Sequence, residues 1–159
     1  MITLLTLSVA AALVLLVVSV SEAGGVPVSL SSTYYDLGEG GWMFQALMTA
    51  VALTLLPVWM GLSSEGCRWM AFLACASLLF VAAAPAFKIE MEGKVHYSAA
   101  IICCMCAVLW QMLEGLWNVT LCFAWTGGIL SLIWKKQWCW FIECAVMGSL
   151  IVNLWRLVC

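Results

Sequence analysis

Long apolar runs alternate with short polar gaps along this 159-residue chain. Six runs stand out, at 2–20, 42–62, 69–87, 96–116, 117–134 and 138–158. A helix rises about 1.5 Å per residue and a bilayer core is about 30 Å thick, so about 20 apolar residues span it. Each run is near that length and is predicted as a spanning helix. Pro57 inside the second run does not argue against this, because neighbours in a membrane bundle can satisfy the carbonyl that proline frees. Only Glu114, Gly115 and Asn118 interrupt runs four and five. A five-helix arrangement, with one long or re-entrant segment there, is the alternative.

The first run invites comparison with a signal peptide. No Lys or Arg precedes it, however, and about nineteen apolar residues exceed the usual core of about 7–15. It is read as a true span. Residues 21–41 form the one long gap, with Pro27, five glycines, a Ser/Thr cluster and the acids Glu22, Asp36 and Glu39. This is an extramembrane loop. The other gaps are Ser63 to Arg68, the charged stretch Lys88 to Val95, and Lys135-Lys136-Gln137.

Tryptophans sit where these spans begin and end. Trp42, Trp69, Trp117 and Trp138 open runs, and Trp59, Trp134 and Trp155 lie near their ends. Amphipathic rings favour the headgroup level. Trp110 and Trp125 fall inside runs and are expected to pack between helices.

Composition agrees with the pattern. The chain is 66% hydrophobic and 9% charged, against about 25% charged in soluble domains. Folded in water it would expose large apolar patches. The formal net charge is −2, with no basic patch, so nucleic acid is not an expected partner. Of nine cysteines, Cys75, Cys103, Cys104, Cys106, Cys122 and Cys144 lie inside apolar runs. There they act as small hydrophobes, and no disulfide framework is expected. Cys103 to Cys106 fits Cys-x-x-Cys, but it lies in an apolar helix and the long loop holds no second pair. Core packing is the reading.

With six spans, the first, third and fifth loops share one face, called face A. It carries Lys88, Lys94, Lys135 and Lys136, against Arg68 and Arg156 on face B. The positive-inside count would put face A in the cytoplasm, whereas the wholly acidic first loop argues the opposite.

Face A collects most of the reactive groups. The first loop supplies a hydroxyl tract from Ser29 to Tyr35, followed by Asp36. The third loop supplies Glu90 and Glu92, then His96 and Tyr97 open run four. His96 is the only histidine. It is a candidate acid/base or ligand contact, with Asp36 or Glu143 as partner, or simply a helix-end residue bonded to the loop. One histidine does not make a zinc site, which needs a fixed cluster of ligands. No metal and no cofactor are expected. Glu143 lies about 7 Å inside the last run. A carboxylate within a span costs roughly 2.5–3.5 kcal/mol to insert, so it faces protein or water. It is a proton, cation or headgroup site, or an interfacial residue paired with Lys135 or Lys136, or a protonated acid. The hydroxyl tract either binds a headgroup or folds as a cap that satisfies its own backbone. On face B, Arg68 and Glu114 are an expected pair. Gly127-Gly128 is a packing feature that lets a neighbouring helix approach.

Pro27-Val28-Ser29-Leu30-Ser31-Ser32-Thr33-Tyr34-Tyr35 ahead of Trp42, and His96-Tyr97-Ser98-Ala99-Ala100 opening run four, form a pattern. It resembles uncharacterised bacterial six-helix membrane proteins akin to the DRAM/Sfk-type family. The resemblance covers residues 27–113 and leaves out the cysteines of run four. It implies a cytoplasmic N-terminus, an extracytoplasmic face A and a place in a bacterial inner membrane. It implies no particular activity.

The expected molecule is thus an all-α, polytopic transmembrane bundle of six helices, a single multi-pass domain. Its leading function is non-enzymatic binding of a lipid or small amphiphile at the face-A end, with Asp36, His96, Tyr97 and Glu143 as contacts. The alternatives are a transporter or channel component using Glu143, and a membrane enzyme using His96 on a lipid. Partners are the bilayer and, for a short chain of this sort, a second copy of itself.

Overall fold

The computed structural model describes the backbone of residues 1–86 and 89–159, and the side chains of 1–85 and 93–159. Lys88 and the carboxyl groups of Glu90 and Glu92 lie outside the described residues. Among the described residues every regular element is helical. The order is α1 (Ile2–Glu22), α2 (Thr33–Asp36), α3 (Trp42–Leu62), α4 (Arg68–Ala83), α5 (Ile89–Leu113), α6 (Trp117–Ile133) and α7 (Trp138–Val158). Short 3-10 turns at Gly38–Gly41 and Ala84–Ala86 lead into α3 and out of α4.

Helices are what these apolar runs must form in lipid, because each closes its own backbone hydrogen bonds. Among the described residues four segments are long and apolar enough to cross a membrane: Ile2–Glu22, Gly38–Leu62, Gly93–Leu113 and Trp138–Val158. α4 and α6 are shorter, at 16 and 17 residues.

The ends of the helices have local causes. α4 stops at Ala83 rather than running on to 87, because Pro85 has no N–H to continue the ladder. Gln45 on α3 donates to the Ala82 carbonyl at 3.1 Å there. α5 ends where Gly115 turns the chain at φ +75°, a conformation that favours glycine. α5 begins at Ile89, seven residues before the apolar run does. Charged residues end the apolar stretch without ending the helix.

Neighbours in sequence pack together: α1 on α3, α3 on α4, α4 on α5, and α6 on α7. The core has two parts. One, toward face B, gathers Leu5, Trp59, Met70, Trp110 and Leu154. The other, toward face A, gathers Leu15, Leu30, Phe44, Met48, Val81 and Ala99. Trp110 is fully buried, as its place inside a run implied, but Trp125 is 71% exposed. α6 is covered chiefly by α7, so its far side, where Trp125 sits, has no helix against it. Trp59, expected at the headgroup level, is instead 2% exposed. Its ring meets Trp110 edge-on at 5.4 Å.

The partner that the structure gives Glu114 is Ser64, whose N–H and hydroxyl both donate to one carboxylate oxygen at 2.8 Å. The link is structural, as expected, but it ties α5 to the α3–α4 turn instead of engaging Arg68.

Candidate ligand cavity

The first loop is strapped to the start of α7. Trp140 N–H, among those a helix's first turn leaves without a helical acceptor, donates to Val28 O at 3.3 Å. Leu30 N–H donates to Glu143 Oε2 at 2.7 Å. Cys139, one turn earlier on α7, turns its thiol to Glu143 Oε1 at 3.5 Å. Glu143 is therefore engaged by the loop and by its own helix, while Lys135 and Lys136 are exposed.

Past Leu30 the loop folds on itself. Ser32 N–H donates to Ser29 Oγ at 3.1 Å, and Ser32 Oγ to Ser29 O at 2.8 Å. The Ser29 and Ser31 hydroxyls meet at 3.1 Å. Much of the hydroxyl tract thus serves the loop's own structure. α2 follows, and the Tyr34 ring lies so close to Gly41 that an added Cβ there would sit 2.7 Å from Tyr34 Cε2. Only glycine lets the loop lie this flat on the start of α3.

Under this roof, between α5 and α7, is a cavity of about 730 Å³. His96, Ala100 and Cys104 form its α5 wall, each four residues from the next and so on one face of the helix. Cys139, Ile142 and Glu143 form its α7 wall, with Ser29, Ser31 and Tyr35 above. Tyr97 stands at the rim, 70% exposed. A second, inner cavity of about 110 Å³ adjoins the first. The two share Ser31, Val81, His96, Ala100, Cys104 and Glu143. The inner one reaches Leu55 and Trp59 on α3 and Leu150 on α7. From His96 to Ala107, both on its wall, the helical rise is about 16 Å.

Of the four candidate contacts, the structure brings His96, Tyr97 and Glu143 to one cavity. Asp36 stands apart. It ends the single turn of α2, is exposed, and accepts from Ser32 Oγ at 3.5 Å. Cys104, Cys139 and Ala100 were not singled out as contacts. The four-residue spacing from His96 was the available signal for two of them, and Glu143 minus four for the third.

Comparison with family models, with curated proteins and with solved structures found no match. The site therefore rests on its own geometry.

A second polar cluster lies near the other end of the bundle. Asn153 Nδ2 donates to Gln111 Oε1 at 2.8 Å and to Thr120 Oγ1 at 3.3 Å. Thr120 Oγ1 donates to Gln111 Oε1 at 3.1 Å. Asn153 and Gln111 are fully buried, and the cluster joins α5, α6 and α7.

The strap makes a measurable prediction. Glu143→Ala removes the acceptor of a part-buried amide, which costs about 1–3 kcal/mol. Amide hydrogen exchange over residues 28–36 should accelerate while α3 and α4 keep their protection. Glu143→Gln, which keeps an acceptor oxygen, should leave exchange near the native rate.

Proposed function

We propose that this chain is a multi-pass membrane protein that binds a lipid or small amphiphile in the cavity between α5 and α7. All six long helices cross the bilayer in this reading. α4 and α6 do so as short spans, which a bilayer accommodates by local thinning at modest cost. The bacterial inner membrane as its location is carried by the resemblance of residues 27–113.

One observation carries the reading: a cavity with polar groups at its roof shares a wall with an inner apolar chamber. Its volume of about 730 Å³ falls within the range of about 300–1,000 Å³ common for small-molecule sites. The division of polar and apolar walls matches a molecule with a head and a tail. Binding is supported over transport because several polar groups along the spans are taken up as ties. Gln45 holds Ala82 O, Thr54 meets Ser8 at 2.6 Å, and Asn153 holds Gln111. The chamber wall around Leu55 and Leu150 is apolar.

Ala100 lines both cavities, so Ala100→Phe should fill their junction. Native mass spectrometry of protein extracted in mild detergent should show a co-purifying amphiphile on the native chain. It should be lost from Ala100→Phe and retained by Ala124→Phe, which alters an exposed position on α6. Equal lipid retention by all three proteins would sink the reading.

A further inference from the structure

We infer that the ligand is a single-chain amphiphile whose head donates hydrogen bonds and carries no negative charge, such as a long-chain amine or a monoacylglycerol. This rests on the proposed binding role and specifies its chemistry.

Glu143 is the one acid among the described residues that line the cavity. It presents a carboxyl group whose oxygens meet two donors, Leu30 N–H and the Cys139 thiol, and an ionised carboxylate has about four lone-pair sites. Ser29 and Ser31 add hydroxyl oxygens to the same space. No Lys or Arg lines either cavity among the described residues. A phosphate or carboxylate head seated beside Glu143 would have His96 as the one basic side chain among the described lining residues, and like charges at short range in a low dielectric repel strongly. An ammonium or hydroxyl head would gain charge-assisted hydrogen bonds.

The tail is argued from shape. The polar end leads inward to one chamber of about 110 Å³. Its wall includes Met48, Val51, Leu55, Met147 and Leu150. The methionines offer a flexible surface that adapts to a chain. The inner chamber admits only part of one chain, the rest of which would lie in the larger cavity.

The test uses three oleoyl compounds of matched tail: oleylamine, 1-monooleoylglycerol and oleate. Each is added to the delipidated full chain in detergent, and occupancy is read by native mass spectrometry. Oleylamine and monooleoylglycerol should bind at least about tenfold more tightly than oleate, the worth of one charge-assisted hydrogen bond or one avoided repulsion. Glu143→Gln should remove most of the amine's advantage over oleate. Tyr97→Arg, at the exposed rim and clear of the strap, should shift preference toward oleate. Oleate binding as tightly as the other two, with Ala100→Phe blocking all three, would overturn the head-group assignment and leave the cavity as a binding site. If none of the three binds, the binding role itself fails.

Discussion

Replacing Trp110 by alanine is expected to destabilise the bundle more than any other single truncation. The ring is fully buried, lies edge-on to Trp59 at 5.4 Å, and donates its indole N–H to Ser63 Oγ at 2.8 Å. Ser63 in turn donates to Trp59 O at 2.6 Å, so one side chain links α5 to the end of α3. In water, deleting a buried Trp costs about 3–5 kcal/mol through lost transfer energy and the cavity left behind. In a bilayer the alternative environment is lipid, so the transfer part shrinks and the packing part remains. A loss of about 2–4 kcal/mol is expected on those two terms. Equilibrium unfolding in mixed micelles would measure it. Trp110→Phe keeps most of the packing and forfeits the hydrogen bond, so it should lose about 1 kcal/mol. A Trp110→Ala protein as stable as the native chain would mean that this end of the core is not close-packed.

Gly127→Leu should separate α6 from α7. A Cβ at Gly127 would fall 2.7 Å from Ala145 Cβ and 3.1 Å from Phe141 O, whereas one at Gly128 would meet nothing within 4 Å. The backbone carbonyl cannot move without moving α7. Overpacking of this kind costs about 1–3 kcal/mol, and more where backbone must shift. Gly128→Ala should be neutral or stabilising by up to about 1 kcal/mol, since alanine is the better helix former. Cross-linking between cysteines placed at Phe123 and Gly148, which also touch across the pair, should fall sharply in Gly127→Leu and stay native in Gly128→Ala. The glycine pair was expected to serve close packing. Only one of its members does so.

Apolar periodicity locates the helices well where the apolar run and the helix share their ends. α3 at Trp42–Leu62 and α7 at Trp138–Val158 begin and end as the runs do. It fails where the helix and the apolar run part company. α5 carries Glu90, Glu92, Gly93 and Lys94 as helix, because charge ends a hydrophobic run but does not break backbone hydrogen bonds. α4 fails in the other direction, since Ala84-Pro85-Ala86 reads as apolar while the proline tightens the chain into a 3-10 turn. Polarity pointed to His96, Tyr97 and Glu143, which the structure brings to one cavity. It pointed equally to Asp36, which stands exposed and off the cavity lining, because polarity alone does not say which way a one-turn helix faces. It could not give Leu30 as the partner of Glu143, because that contact uses a backbone N–H, which every residue but proline carries.

α7 meets the other elements through hydrogen bonds near its two ends. Val28 and Leu30 hold it at Trp140 and Glu143, and Gln111 and Thr120 hold it at Asn153. From Glu143 to Asn153 is about 15 Å of helix, and among the described residues apolar packing alone joins that stretch to its neighbours. A beam supported at both ends can bow at its centre. In the proposed binding role the seam between α5 and α7 would widen around a guest with every fastening still closed. Shape selection along a tail would then be lenient, and discrimination would fall to the polar end.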